Sequence, residues 1–360
     1  MSSLPTRRQF LQTAGAAVGA ATAALRGGVP AAAAGHALGI DNFAVRAMGW
    51  KAPQLIDYTA SLGCTSLFIT DFDALESHDD AYLRKVKAQA DAKGVRIHLG
   101  TWSIDPTSKA FRPNWGTAEE HLALGVRMAR ALGSPVIRVV LGTWEDRLTD
   151  GGIERHIEAV VKVCRSQRSR AMDAGVRIAV ENHAGDMHST ELAELVKAAG
   201  TEYVGVNLDS GNALWTLEDP LDNLRTLAPY VVTTSLRDSA VWETEKGAAV
   251  AWTAMGEGQI DLKTYFDEFR KLCPGVPVHI ETISGFSREL PYLTPEFWKA
   301  WPNMPAARFA RFVALARAGR PREPFRPPEG AARRQAEQDY QRGELERSIK
   351  YCREVLGFGS

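Results

Sequence analysis

From residue 38 onward the chain alternates between two textures. Short runs rich in Val, Ile, Leu and Phe give way to longer stretches whose apolar residues recur at helical spacing. The runs at 38–45, 66–70, 96–102 and 136–142 predict strands, and so do those at 177–182, 204–209, 231–236 and 276–283. Helical patterns such as AYLRKVKAQADAKG and EEHLALGVRMARALG separate them. Gly63, Gly94, Gly133, Gly175 and Gly200 end several of these as C-terminal stops. The stretch from Pro305 to Gly319 supplies a helix after the eighth run.

Alternation of this kind implies a parallel sheet. Eight units over roughly 280 residues suit a closed (β/α)8 barrel, whose usual length is about 250. An open doubly wound sheet would carry a glycine-rich phosphate loop after an early strand. No GxGxxG, GxxxxGKS or GxxxxGKT occurs. The fold class is therefore read as α/β, a (β/α)8 TIM barrel over 38–319. Two long connections break the rhythm, 239–260 after the seventh strand and 284–304 after the eighth. Both fall on the face where such barrels carry their sites. The second holds Phe286, Tyr292, Phe297, Trp298 and Trp301, which pack the loop onto the barrel, line a pocket, or do both. Residues 320–360 read as a Pro-rich charged linker and a helix, ERSIKYCREVLG. This tail is expected to wrap the barrel or to meet a second copy in a homo-oligomer.

Residues 1–37 differ. Thr6-Arg7-Arg8-Gln9-Phe10-Leu11-Gln12 precedes a weakly apolar run to Leu25, then Ala-rich small residues. The segment resembles a twin-arginine export signal. That implies delivery of the folded protein to the periplasm or the cell exterior, with cleavage within 31–37. The apolar run is too short and too rich in Gly and Ala for a lasting membrane span.

Lys+Arg and Asp+Glu balance at 43 each, so no global field favours nucleic acid or an anionic membrane. The four cysteines, Cys64, Cys164, Cys273 and Cys352, form no CxxC and are expected to be buried thiols.

The chemistry-bearing residues stand at strand ends. Glu181 ends the fifth strand, Asp209 the sixth, and Glu281 lies near the end of the eighth. A carboxylate there is costly unless it pairs, binds metal or takes a proton. Asp209, followed by Ser-Gly-Asn, also fits a simple turn. Three carboxylates on neighbouring strands call for a compensating cation, and oxygen ligands suit Mn²⁺ or Mg²⁺. Around them His183, Asn182 and Asn212 suit a polyol or sugar. His98 and Trp102 share a face of the third strand, and Arg138 lies on the fourth. His98 is also read as a core histidine; His279 is expected in the core and His188 at the surface.

The strand ends VENHAG, VNLDSGN, VVTTSLRD, GEGQIDL and HIETISG resemble, in order and spacing, the xylose-isomerase-like sugar phosphate isomerase/epimerase superfamily. The resemblance implies a (β/α)8 barrel with a divalent ion held by glutamate, aspartate, histidine and glutamate from strands five to eight. Glu181, Asp209 and Glu281 match the carboxylates. The family's HxKD motif reads Ser235-Leu236-Arg237-Asp238 here, so Ser235 stands at the histidine and Arg237 at the lysine. The implied reaction is proton abstraction beside a sugar carbonyl, with Glu181 and Glu281 as base and acid. His183, Asn212, Arg237, Arg138, His98 and Trp102 would then bind the carbohydrate. A lyase or dehydratase could use the same site. A non-catalytic sugar-binding protein is a further alternative, favoured by Ser235. A multi-zinc DNA-repair nuclease is disfavoured by the charge balance and the few histidines.

Overall fold

The computed structural model describes residues 35–283 and 285–359; the expected export signal lies outside them. The strands, in chain order, are β1 (Leu38–Asp41), β2 (Ser66–Ile69), β3 (Arg96–Ser103), β4 (Val136–Val140), β5 (Arg177–Glu181) and β6 (Val204–Leu208). There follow β7 (Val231–Thr234), β8 (Asp238–Thr244), β9 (Gly247–Thr253), β10 (Val278–Ile280) and β11 (Ser287–Leu290). One parallel sheet runs β10-β1-β2-β3-β4-β5-β6-β7. The seam between β7 and β10 is closed by Leu236, whose N–H donates to the His279 carbonyl at 2.7 Å and whose carbonyl accepts from the Glu281 N–H at 2.9 Å. This is the expected (β/α)8 barrel, and its seam lies between Ser235 and Arg237.

Local chemistry explains the elements. The helix Ala118–Leu132 starts in a capping box: Thr117 accepts from the Glu120 N–H, and Glu120 accepts from the Thr117 N–H. Such a cap contributes about 1 kcal/mol. Leu122, Val126 and Ala129 then share one buried face, and Gly133 at φ 72° stops the helix. Apart from β3, the barrel strands are shorter than their apolar runs. The first run was expected to reach residue 45, yet the strand ends at Asp41, whose carboxylate accepts from the Phe43 N–H at 2.9 Å and starts a 3-10 turn over Asn42–Met48.

The connection after β7 is not a plain loop. Its residues form an antiparallel hairpin, β8 and β9, which β11 joins as a third strand. The Val, Trp and Thr residues of DSAVWET and GAAVAWT are β-favouring and carry that signal. Of the aromatic residues after β10, Tyr292, Phe297 and Trp301 are buried with Leu214, Val241 and Val250, which fixes this layer to the barrel. Phe286 stays half exposed.

The tail folds back onto the barrel. Its helix, Arg333–Glu354, is longer than the motif suggested, and Leu345, Ile349 and Cys352 join the main core. Gln341 and Gln338 hydrogen-bond the Ala47 N–H and carbonyl at 2.9 and 3.0 Å. Ile349→Val is therefore expected to cost about 1 kcal/mol in urea unfolding, the loss of a core methylene group, where a surface position would change little.

All four cysteines are free and buried, and burial pushes the Cys164 thiol up to about 12. A chromogenic disulfide reagent is expected to find no thiol in the native protein and four after unfolding. Among the described residues no helix is long and apolar enough to cross a membrane.

Candidate active site

The carboxylates expected at strand ends do come together with two arginines at one end of the barrel. Glu181 ends β5 with its predecessors Ala179 and Val180 buried. Arg138 on β4 reaches it, Nε to Oε2 at 2.5 Å, and a second guanidinium nitrogen of Arg138 donates to the Thr101 carbonyl at 2.9 Å. Both side chains are buried. Asn207 Nδ2 adds a hydrogen bond to Glu181 Oε2 at 2.8 Å, and Asn212 Nδ2 lies 3.4 Å from Oε1.

Asp209 serves both readings made of it. Its Oδ1 accepts from the Gly211 and Asn212 N–H groups at 2.8 and 3.1 Å, which makes the turn. Its Oδ2 accepts from Arg237 Nη2, and the same nitrogen donates to Glu281 Oε2. One guanidinium thus bridges two buried carboxylates from either side of the barrel seam. Two features place it. A Cβ on Gly211 would meet the Arg237 stem at 2.5 Å, so only glycine leaves the room. The Trp252 ring, carried on β9, lies 4.7 Å from the guanidinium carbon. Gly211→Ala is accordingly expected to shift Arg237 and to cost about 1–3 kcal/mol through overpacking, read as a lower unfolding midpoint.

Ser235, at the family's histidine position, donates its hydroxyl to Asp41 Oδ2 at 3.0 Å and accepts from Asn207 Nδ2 at 3.2 Å. Asp41 is a fourth buried carboxylate that the sequence reading missed. Its signal was present, since GIDN ends a strand in an acid as VNLD does. Asn207 was missed too, although it precedes Asp209 by two and shares its face. The β6–β7 register shifts beside it, between Val206 and Asn207, as irregularities next to sites often do.

The electrostatics follow from burial and pairing. Burial works to raise Glu181, but Arg138 and His183 beside it outweigh that and hold it below the ordinary glutamate value. Burial raises Glu281, with Arg237 opposing. Burial pushes Asp209 up to about 8 despite the touching Arg237. Asp41 lies well above the ordinary aspartate value, first through burial and then through Glu281. His183 is pushed down to about 4 by its enclosed surroundings, so it is neutral at pH 7. Its Nδ1 donates to the Gly142 carbonyl at 3.1 Å, which leaves Nε2 as its free nitrogen. The Trp102 ring packs edge-on against it at 5.2 Å.

His98 is not brought to this cluster. Its Nδ1 pairs with Thr233 Oγ1 at 3.0 Å and its ring stacks edge-on against His279 at 4.7 Å, while His279 is itself tied to Ser66 and Thr234. Both rings fill the barrel interior, as expected for His279. His188, expected at the surface, is buried as the N-cap of Ser189–Ala199.

Several buried polar atoms here have no hydrogen-bond partner among the described residues: Arg237 Nε and Nη1, Asn212 Oδ1, Trp215 Nε1 and Trp252 Nε1. The Trp215 and Trp252 rings lie tilted against each other with centroids 4.5 Å apart, so these atoms belong to one neighbourhood. Buried groups of this kind normally find partners, and a polyhydroxylated ligand supplies both donors and acceptors. Beside Trp252 lies a cavity of about 270 Å³, lined also by Thr253, Glu257, Phe286, Arg322 and Phe325. Residues of the tail thus line this cavity, which meets the site at Trp252.

The positions expected to hold Mn²⁺ or Mg²⁺ do not fit an ion as they stand. Both oxygens of Glu181 and both of Asp209 already accept from N–H groups of the chain, and the Ser235 hydroxyl is spent on Asp41. Among the described residues no three His, Cys, Asp or Glu side chains are arranged to hold a metal.

Comparison with known proteins places this architecture. The description "xylose isomerase-like TIM barrel" matches residues 56–294, more than half of the chain. The uncharacterized protein YihM of Escherichia coli is 27% identical over 130 residues, which are 36% of this chain and 39% of that protein. The 3-oxo-isoapionate decarboxylase of Pectobacterium atrosepticum is 23% identical over 218 residues, 60% of this chain and 72% of that enzyme. Among solved structures, a D-psicose 3-epimerase in the presence of D-fructose superposes with TM-score 0.59 at 14% identity, covering 89% of this chain and 99% of its own. The IolI protein, solved with a zinc atom, gives TM-score 0.51 at 14% identity, covering 78% and 95%. At such identities the superpositions speak for the fold, and together with the family match they establish that the chain belongs to the xylose isomerase-like TIM barrel family.

Proposed function

We propose that this protein is a carbohydrate isomerase or epimerase that moves a proton on the carbon next to a sugar carbonyl. The observation that carries the reading is a pair of buried glutamates with separate arginine partners, Glu181 on Arg138 and Glu281 on Arg237. Arg138 keeps Glu181 ionised, as a base must be, and Glu281 is the carboxyl placed to return the proton. The unpartnered atoms on Asn212, Arg237, Trp215 and Trp252 support a ligand rich in hydroxyls. Both buried arginines are neutralised by carboxylates, which argues against a phosphate on the substrate. The export signal read at residues 1–37 supports the same choice of an unphosphorylated sugar. The Trp102 ring against His183 and the Phe286 ring against Trp252 add ring surface for the sugar carbons.

A decarboxylating lyase is a second reading, favoured by the unpartnered Nε–H and Nη1–H groups of Arg237. Either suits a carboxylate oxygen, and a curated relative is a decarboxylase. Either reaction leaves the electron pair on a carbonyl oxygen.

The test is solvent deuterium exchange into a panel of keto-sugars and sugar acids, with gas release followed in parallel. Exchange without CO₂ supports the isomerase; CO₂ release supports the lyase. Binding without either outcome overturns both in favour of a sugar-binding protein.

A further inference from the structure

The bridge between Asp209 and Glu281 points to a change in how the site handles negative charge. We propose that Arg237 is a built-in cation that takes the place of a divalent metal, and that its unpartnered N–H groups hold the oxygen on which charge develops. The charge-holding role rests on the proton-transfer reading above; the metal-replacing role stands on geometry alone.

Arg237 Nη2 reaches both Asp209 and Glu281, two of the positions a metal would need. The remaining Asp209 oxygen is taken by the Gly211 and Asn212 N–H groups. Ser235 offers no imidazole and is engaged by Asp41 and Asn207. The chain has thus supplied N–H donors where an ion would have bound oxygens. Arginine suits this exchange, because a guanidinium stays protonated and its planar fork presents two edges. Here Nη2 alone neutralises both carboxylates, while Nε and Nη1 are buried and have no partner among the described residues. The Trp252 face and the space above Gly211 hold the plane in place.

The chemistry balances without a redox partner. Glu181 takes the proton as the C–H bond breaks. The electron pair moves into the carbonyl, forming an enediolate whose oxygen accepts from an unpartnered N–H of Arg237. Return of a proton to carbon completes the cycle. Such fixed donors, aimed at developing charge, are the usual main source of stabilisation in enzymes.

The test uses the full-length protein and Mn²⁺ or Zn²⁺ as probes, and needs no substrate. The wild type is expected to purify with far less than one ion per chain, and its melting temperature to ignore both EDTA and added Mn²⁺. The double variant S235H/R237K rebuilds the HxKD motif and is expected to gain an Mn²⁺-dependent rise of about 3–6 °C at saturating ion. S235H alone keeps the guanidinium in place and is expected to remain indifferent. A wild type that carries stoichiometric metal or is stabilised by it overturns the proposal. So does an S235H protein that binds the ion with Arg237 retained, or a folded double variant that does not bind it. If the double variant does not fold, the wild-type and S235H results decide. Loss of deuterium exchange with these metal results intact would instead overturn the proton-transfer reading.

Discussion

Replacing Glu181 by glutamine is expected to slow deuterium exchange into the substrate by at least about a hundredfold, the low end of what a positioned general base contributes. The amide has the same shape but cannot take a proton. Sugar binding should survive, because Asn212, Arg237 and the tryptophans remain. The fall should therefore appear in kcat rather than in KM. The change also leaves Arg138 without its carboxylate, so unfolding must be measured alongside to show that the variant is folded at the assay temperature. Glu281→Gln is expected to act in the same direction with a smaller structural cost, since Arg237 keeps Asp209. A variant at either position that exchanges at the wild-type rate removes that glutamate from the mechanism.

How much of this was legible in the sequence depends on the range of the interactions. Barrel, strand order and the three strand-end acids were readable, because period, glycine stops and alternation are local properties. His98 misled because a strand histidine looks the same whether it faces a ligand or a threonine across the barrel; only Thr233, 135 residues away, decides it. Asp41 was passed over because its apolar neighbours run on into FAV, and the 3-10 turn that ends the strand depends on the aspartate itself. Trp252 was invisible as a site residue until the hairpin placed it on Arg237. Ser235 and Arg237 were visible as departures from a motif. What the departure does could be seen only once the guanidinium stood between two carboxylates.

Arg237→Met is expected to be among the most destabilising single substitutions in the chain, at about 3–5 kcal/mol. It removes one partner and leaves two buried carboxylates uncompensated. The effect should depend on pH. Burial already raises Asp209 to about 8 and Glu281 above its ordinary value with Arg237 present, and both move further up without it. A carboxyl whose folded pKa exceeds its unfolded value stabilises the fold only while protonated. For Asp209 the deficit relative to wild type is therefore small below pH 8 and widens as the pH passes about 8, where the wild-type carboxyl ionises and the variant's does not; Glu281 adds its share above its own raised value. Urea titrations of both proteins at pH 6 and pH 9.5 check this, and a difference that does not grow with pH refutes it.

The way the barrel closes has a consequence for its synthesis. β1 pairs early with β2, but its other neighbour is β10, and the turn after β1 is held by the helix Arg333–Glu354, so the outer edge of the first strand finds its partners only among residues made some 240 to 300 positions later. Contacts of such long sequence separation form late and slow folding. A nascent chain emerging from the ribosome thus carries an open sheet edge until synthesis is nearly complete, and the cell must keep that edge from pairing with a neighbouring chain in the meantime.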